Sequence, residues 1–459
     1  MDFDALSREE LIALCRQLQD TVAKLTQRVE ELEKQLGSSG PPSFVKANKP
    51  LANRKKKEEH KKRSQSFFRR LDKPTEVVRH VPSCCPDCGR ALCGGSVHRR
   101  RQVIEIAPCP VRIIEHQVIG RWCGVCKKRV LPPVDFSDQV VGKHRVGIDL
   151  MSWVGLLHIV ARLPLRSIQR LLTALFGLHL GLGELSALLH TLAQKGKAQT
   201  ECLLQQVRGS PFVHSDETSW REDGQNGYLW SFSTPSVRCF VYDKSRSGNI
   251  AVDALGEEFA GICVSDFYVA YNKVGIVRQR CWVHFLRDLH KLSEAYPDDA
   301  GVFAWVNQVR AVYEEACVWQ QKARATLLRF RNRADHVGYG VFDRQRQRQL
   351  FEKKLLALAF PYLRAQCPEA VPQSILSQRI ESYLRELFVF VEHPEVPSEN
   401  NAAERALRPA VIGRKISGGT RSAKGSDTKT TLMTLFHTWQ LQGKDPIHQC
   451  RKLLAAQTA

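Results

Sequence analysis

The stretch of sequence that most constrains the fold begins at Pro211, where short apolar segments rich in β-branched and aromatic residues follow one another. Segments of this composition and length predict β-strands. The predicted strands cover residues 212–216, 228–232, 239–242, 261–266 and 280–284. A predicted helix at residues 250–259 separates the third strand from the fourth. Three antiparallel strands, a crossover helix and further strands predict an α/β domain built on one sheet.

Two aspartates lie on these predicted strands: Asp216 is on the first, and Asp266 ends the fourth. The order of elements is that of a ribonuclease-H-like core, in which strand ends can direct two carboxylates towards one point. An isolated aspartate at a strand end is more often a turn residue. Neither aspartate therefore indicates a catalytic site by itself.

A third acidic residue, Glu404, lies in a segment that predicts a helix with Ser398 as its N-cap. Arg408 follows one helical turn later, so a carboxylate and a phosphate-binding guanidinium would share one surface. The alternative is an ordinary Glu–Arg surface pair. If Glu404 met Asp216 and Asp266, the three acids could hold two divalent ions roughly 3.5–4 Å apart, an arrangement that clamps both reacting oxygens of a phosphodiester.

The charge of the chain directs this chemistry towards nucleic acid. The 459 residues include 68 Lys and Arg against 47 Asp and Glu, which gives a formal net charge of +21. A polyanion is the natural partner of such a chain, although charge alone fits a membrane surface equally well. The length predicts about three or four folded units.

The N-terminal segment carries leucine at every seventh position, with valine at two sites of the second seam; the leucines are Leu11, Leu18, Leu25 and Leu32. This heptad pattern favours a parallel two-stranded coiled coil at residues 1–36 and hence a homodimer. The alternative is an amphipathic helix packed on its own chain. Residues 37–80 are rich in breakers and basic residues, which predicts a flexible tether, an arm that lies along phosphates, or both.

Two Cys-x-x-Cys pairs lie between residues 81 and 135, and they are formed by Cys85, Cys88, Cys123 and Cys126. Four thiolates on two turns are typical of a tetrahedral structural zinc site. A redox pair is the alternative, and Cys84 and Cys93 compete as ligands. The sequence between the pairs is β-rich at residues 101–106 and 111–114.

The segment at 144–205 predicts three helices, at residues 148–161, 165–176 and 184–195. Short glycine-containing connections between apolar helices fit a helix-turn-helix DNA-binding domain, and a plain helical packing module fits as well. Residues 285–395 are helix-rich and basic, which predicts an all-helical insertion. The insertion would separate Asp266 from Glu404.

These predictions together describe a multidomain chain with an α/β ribonuclease-H-like core. Its predicted parts are a coiled-coil helix (1–36), a basic linker (37–80), a two-knuckle zinc domain (81–135), a helical domain (144–205), the first part of the core (206–284), the helical insertion (285–395), the catalytic glutamate helix (396–440) and a C-terminal tail (441–459).

No export signal is expected, because the first residues contain neither a basic start nor an apolar stretch. The longest apolar runs, at 150–161 and 171–183, are shorter than the roughly 20 residues of a membrane span. Fifteen cysteines without an export signal indicate a reducing compartment. We therefore expect a cytoplasmic protein.

Several short motifs carry a resemblance to a known family. They are His214-Ser215-Asp216-Glu217-Thr218, Val264-Ser265-Asp266, Tyr271-Asn272, Cys281-Trp282-Val283-His284, Asn400-Asn401-Ala402-Ala403-Glu404-Arg405, Arg408-Pro409 and Arg414-Lys415. Through them, residues 211–437 closely resemble the transposases of the bacterial insertion-sequence-66 family. The heptad segment and the two-knuckle unit look like the N-terminal parts of the same family.

The resemblance implies a DDE transposase whose catalytic and metal-binding carboxylates are Asp216, Asp266 and Glu404. It implies two Mg²⁺ ions, with Mn²⁺ as a substitute, beside a structural Zn²⁺. The residues expected to contact DNA are Arg405, Arg408, Arg414 and Lys415. The expected partners are element ends, a target duplex, a second copy of the chain and accessory proteins of the same element, at the bacterial nucleoid.

Two other functions fit the same features. A structure-selective nuclease with this core would cut DNA without joining it. A zinc-containing DNA-binding regulator, or an inactive relative of a transposase, would not depend on the three acids at all. The presence of all three acids favours an active enzyme.

Overall fold

The computed structural model describes residues 74, 76–94, 96–97, 101, 111–275, 277–329, 340–364 and 371–455. The predicted coiled coil at 1–36 and most of the predicted linker at 37–80 lie outside the described residues. The chain divides into two compact units, Met1–Ala107 and Pro108–Ala459.

Among the described residues, the second unit contains a small hairpin and a five-stranded mixed sheet. The hairpin pairs β1 (Arg121–Cys123) with β2 (Lys128–Val130). The sheet consists of β3 (Phe212–Glu222), β4 (Gln225–Ser233), β5 (Arg238–Asp243), β6 (Ile262–Ser265) and β7 (Arg278–Arg280). Its order is β5-β4-β3-β6-β7; β3, β4 and β5 are antiparallel neighbours, and β6 runs parallel to both β3 and β7. The predicted α/β architecture is confirmed.

The first strand of the sheet is longer than predicted, so Asp216 lies inside β3 and does not end it. β3 continues because β4 pairs with it as far as Glu222 opposite Gln225. The two residues between these strands, Asp223 and Gly224, have φ values of 50° and 77°. Asp-Gly is a preferred pair for a tight hairpin turn of this kind, which matches the twist of the strands on either side.

Two further predicted strands are wrong in position or absent. Residues 280–284 were predicted as a strand, but β7 ends at Arg280 and a helix begins at Trp282. Residues 111–114 have no strand, although their sequence is β-rich. A short segment such as 280–284 fits the start of a buried helix as well as a strand, and only its tertiary contacts decide which one forms.

Helices that precede the sheet share its hydrophobic core. They are α1 (Ile148–Ile159), α2 (Leu165–Phe176) and α3 (Leu182–Arg208), and the third is longer than its predicted range of 184–195. Their buried residues join one cluster with those of β3, β4 and β5. The helical segment predicted as a separate domain at 144–205 therefore packs as one layer of the core. A short helix, α4 (Asn249–Leu255), makes the crossover between β5 and β6.

In the range predicted as a helical insertion, 285–395, the described residues form helices that have a hydrophobic core of their own. Its helices are α5 (Trp282–Ala295), α6 (Ala300–Arg329), α7 (Val341–Leu363), α8 (Ser374–Leu387) and the short α9 (Val389–Glu392). Trp282 is fully buried in this second cluster and stacks on Tyr313 with ring centroids 4.7 Å apart. The insertion therefore folds around apolar contacts that are largely separate from those of the sheet.

Three helices complete the second unit: α10 (Asn401–Ser417), α11 (Ala423–Leu441) and α12 (Pro446–Ala455). α11 covers the outer edge of β5, where the Thr434 hydroxyl accepts a hydrogen bond from the Phe240 amide at 3.0 Å. The Thr438 hydroxyl accepts one from the Arg238 amide, also at 3.0 Å, and donates one back to the Arg238 carbonyl at 3.1 Å. The segment predicted as a tail, 441–459, contains α12, which buries Cys450 in the main core.

None of the helices in the described ranges has both the length and the apolar character that crossing a membrane requires.

Candidate active site

The pairing of β3 with β6 brings the two aspartates to the same level of the sheet. The parallel pairs are Phe212 with Ile262, Val213 with Cys263 and His214 with Val264, so the register has a constant offset of 50 residues. Continued by two residues, it sets Asp216 opposite Asp266, which directly follows β6. Neighbouring strands lie about 4.8 Å apart. The local fold therefore brings the two acids to the same level, with Asp216 on β3 and Asp266 directly after β6.

Glu404 reaches the same region from the first turn of α10, which packs on β3. The negative charge of Glu404 affects the pKa of Asp216. Burial raises the pKa of Asp216 to about 8, and the negative charges of Glu217, Asp266 and Glu404 add to the rise. All three predicted acids therefore act within one electrostatic environment.

A complete metal-ligand cluster is not assembled in the described part of the chain, where no three His, Cys, Asp or Glu side chains are grouped to hold an ion. The residues nonetheless suit a divalent cation. Carboxylate oxygens are the ligands that Mg²⁺ prefers. Burial and the neighbouring negative charges raise the pKa of Asp216, and a bound cation would offset both effects by stabilising the charged carboxylate.

Asn400 fixes the start of α10 against β3. Its side chain is completely buried, its Nδ2 donates to the Ser215 carbonyl at 2.8 Å, and its Oδ1 lies 3.0 Å from His214 Nδ1. Burial lowers the pKa of His214 to about 4, so the ring is neutral and donates this bond from Nδ1. The backbone N–H of Asn400 also donates to Cys281 Sγ at 3.1 Å. The helix was predicted to have Ser398 as its N-cap; the N-cap is instead Asn400, whose side chain bonds to the sheet.

His284 is a site residue to which the sequence analysis gave no role. It lies in the first turn of α5, and its Nε2 is 3.6 Å from Glu404 Oε1. Its Nδ1 is buried and has no hydrogen-bond partner among the described residues. The available signal was the Cys281-Trp282-Val283-His284 motif, which contributes both the histidine and the sulfur that receives the Asn400 amide.

Glu217, next to Asp216 in sequence, is bound by an arginine and a tyrosine. Its side chain is 2% exposed. It accepts hydrogen bonds from Arg246 Nη2 at 2.6 Å and from the Tyr271 hydroxyl at 2.5 Å. The Arg246 guanidinium in turn lies over the Tyr268 ring, 4.0 Å from its centroid. These contacts join β3 to the segments on either side of α4.

The four basic residues predicted to contact DNA all lie on α10. Arg405 and Arg408 are exposed, and the positive charge of Arg405 contributes to the lowered pKa of His214. Arg414 instead donates to the Ser219 carbonyl and hydroxyl on β3. Part of its hydrogen-bonding capacity therefore joins α10 to the sheet, and Lys415 follows it in the last turn.

Each Cys-x-x-Cys pair forms a turn in which backbone amides lower the pKa of the first cysteine. In the first unit, the Gly89 amide donates to the Cys85 carbonyl at 2.9 Å, with Gly89 at φ 73°. Backbone amides of Asp87 and Cys88 lower the pKa of Cys85. In the second unit, backbone amides of Cys126 and Val125 do the same for Cys123.

The Cys123 turn connects β1 to β2, and its Cys126 amide lies 3.4 Å from Cys123 Sγ. Amide-to-sulfur bonds of this kind stabilise the charged form of a metal-binding thiolate. In each turn, taken by itself, backbone amides therefore favour the thiolate form of the first cysteine.

Comparison with known proteins finds a family model described as "Transposase IS66 family", which matches residues 143–428. That range contains Asp216, Asp266 and Glu404. An uncharacterized protein of Sinorhizobium fredii, y4qI, is 22% identical over 418 residues, covering 83% of this chain and 72% of the relative. A second uncharacterized protein of that organism, y4jO, is 32% identical over 163 residues, covering 36% of this chain and 43% of the relative.

Proposed function

Because the chain belongs to the IS66 family of transposases, we propose that it binds the ends of a mobile DNA element and catalyses metal-dependent strand cleavage and strand transfer. The observation that carries this proposal is the parallel register of β3 and β6, which sets Asp216 opposite Asp266 inside the matched range. The strand order β5-β4-β3-β6-β7 supports a ribonuclease-H-like core of the DDE type.

In the proposed mechanism, Asp216 and Asp266 would hold the metal ions, and Glu404 would complete the set of ligands. Two Mg²⁺ ions, or Mn²⁺ in their place, would supply activation of the attacking oxygen and stabilisation of the leaving oxygen. The chain holds the three carboxylates on a sheet and a packed helix, which reduces the reorganisation needed during the reaction. Asn400 keeps the Glu404 helix in place, and His284 lies beside the Glu404 carboxylate.

The proposed DNA contacts follow from charge and exposure. Arg405 and Arg408 are exposed on the helix that carries Glu404, so their guanidinium groups can reach phosphates next to the site. Lys415 lies further along the same helix, and Arg414, which also donates to Ser219 on β3, is the fourth proposed contact. With a formal net charge of +21, the chain as a whole attracts a polyanion, and its affinity should fall steeply as salt rises.

The test uses duplexes made from the genomic sequence on either side of the coding region, incubated with the full chain and Mg²⁺. We expect nicked ends first and then joined products, because the liberated 3′-hydroxyl attacks a second duplex. Products that are cut and never joined would instead identify a nuclease. An absence of both products with Mg²⁺ and with Mn²⁺, despite tight binding to the ends, would favour a DNA-binding regulator.

From the two Cys-x-x-Cys pairs in the sequence alone, we also propose that Cys85, Cys88, Cys123 and Cys126 bind one structural zinc. The purified chain is then expected to contain about one zinc per chain. Cys88→Ser and Cys126→Ser are each expected to lose it, as measured by elemental analysis. Cys202→Ser, which changes an exposed cysteine on α3, is the matched control and should keep its zinc. Unchanged zinc in the first two variants would exclude this ligand set.

The remaining parts of the proposal concern assembly. The leucine heptad at residues 1–36 supports a homodimer formed by a coiled coil. A dimer would allow two element ends to be held by one complex. Accessory proteins of the same element are proposed as further partners, and the bacterial nucleoid as the place of action.

A further inference from the structure

The turn that carries Asp266 is held by a buried arginine on the neighbouring strand. Arg280, the last residue of β7, is completely buried, and its Nη1 donates to the Asp266 carbonyl at 2.7 Å and to the Ser265 hydroxyl at 3.2 Å. Its Nη2 donates to the Asn272 side-chain oxygen. One guanidinium therefore binds the backbone of Asp266 and the side chains of Ser265 and Asn272, which lie before and after it.

The same guanidinium is neutralised by the helical insertion. Glu386 of α8 accepts from Arg280 Nε at 2.6 Å and from Arg278 Nη2 at 2.9 Å. The Arg280 side chain has no exposed surface, and that of Glu386 is only 18% exposed. The Tyr383 ring, one turn earlier on α8, lies 4.8 Å from the Arg280 guanidinium. A buried charge needs such a partner, so the position of Arg280 depends on α8.

The rest of β7 is attached to the same part of the insertion. The Gln279 side chain donates to the Leu387 carbonyl at 3.1 Å and accepts from the Phe390 amide at 2.9 Å. The Trp282 indole donates to the Leu387 carbonyl as well. The strand beside Asp266 is thus bonded at successive residues to the junction between α8 and α9.

We propose that the helical insertion positions the Asp266 carboxylate for metal binding, with Arg280 and Glu386 as the positioning residues. The inference rests on the proposed function, because it assigns Asp266 to a metal site. It gives the helical insertion a role in the active site. A shift of α8 would move Arg280, and through it the backbone of Asp266. Contacts of this outer kind typically change metal affinity 10–100-fold when they are removed.

The test measures Mg²⁺ and Mn²⁺ binding to the full chain without DNA, by calorimetry and by the metal-induced rise in melting temperature. In Glu386→Gln, which keeps the size of the side chain and removes its charge, we expect metal affinity to fall about tenfold. The metal concentration needed for half-maximal cleavage should rise by a similar factor. Cleavage at saturating metal should recover most of its rate.

The matched control is Glu392→Gln, in the same insertion. Glu392 accepts hydrogen bonds from Arg348 at 2.6 Å and from Gln345 at 3.0 Å, both on α7. Removing the charge of Glu392 should lower the free energy of unfolding of the chain without changing its metal affinity. An equal loss of affinity in both variants would overturn the proposal, because the effect would then be general destabilisation. Unchanged affinity in folded Glu386→Gln would overturn it as well.

A second variant covers the case in which Glu386→Gln does not fold. Asn272→Ala removes one acceptor of Arg280 and leaves the ion pair with Glu386 intact, so a smaller loss of affinity is expected. An unchanged affinity in this variant would then overturn the proposal. Asp266→Asn distinguishes a failure of the proposed metal site from a failure of the positioning role. If it leaves metal binding intact, the proposed metal site is wrong; if it abolishes binding while the positioning variants have no effect, only this inference fails.

Discussion

Replacing Asp216 with asparagine is expected to reduce strand cleavage and joining by about 10³-fold, equivalent to about 4 kcal/mol of transition-state stabilisation. The substitution preserves size and removes the charge that would hold the metal ions. Asp266→Asn and Glu404→Gln are expected to have effects of the same order, since each removes one member of the proposed ligand set. The measurement is the rate of nicking and joining on element-end duplexes in Mg²⁺.

The control for these substitutions is Asp253→Asn, which changes an exposed carboxylate on the crossover helix α4. It should cleave at the rate of the unmodified chain. All of the variants should bind end DNA at least as tightly as before, because each loses a negative charge near phosphate. Full cleavage by any of the three site variants would remove that residue from the proposed site.

Replacing Asn400 with alanine is expected to lower the free energy of unfolding by about 2–4 kcal/mol and to reduce cleavage. The change removes the bond to the Ser215 carbonyl and leaves the buried His214 Nδ1 without its acceptor. Glu404 lies one turn further along the same helix, so a looser helix start would let its carboxylate move. Urea unfolding and the cleavage assay measure the two effects separately.

Asn401→Ala provides the comparison for this substitution, because Asn401 is the next residue and its side chain donates only to nearby Glu399. Its stability should change by less than about 1 kcal/mol, as for a partly exposed hydrogen bond. If Asn400→Ala unfolds at the same urea concentration as Asn401→Ala, the buried contacts of Asn400 do not hold α10 in place.

The order of strands and helices along the chain after Pro211 could be predicted from the sequence, because the patterns that indicate them are local. Apolar segments after Pro211 indicated the strands, and the offset between Asp216 and Asp266 agreed with the parallel register that forms. The length of β3 was missed even though its signal, Asp223-Gly224, is a strong turn pair. The predicted strand at 280–284 failed because Trp282 is buried by the insertion, and that contact is invisible in the local pattern.

The supporting residues of the site could not be predicted for a similar reason. His214 and Asn400 are 186 positions apart, and Arg280 and Glu386 are 106 apart. Spacing rules reach only one or two helical turns or the neighbouring strand position. Pairs such as these become apparent only once β3, α10 and the insertion are packed together. The acids themselves were recognisable because their motifs resemble a family.

The threonines of α11 have a consequence for how copies of this chain meet one another. The edge strand of a sheet normally has unpaired amide and carbonyl groups. A strand of another chain can pair with these groups, which leads to aggregation. Here Thr434 and Thr438 occupy those groups along β5. In the proposed complex, where several copies of the chain would lie on one length of DNA, this edge of the sheet is therefore closed to strand addition between copies.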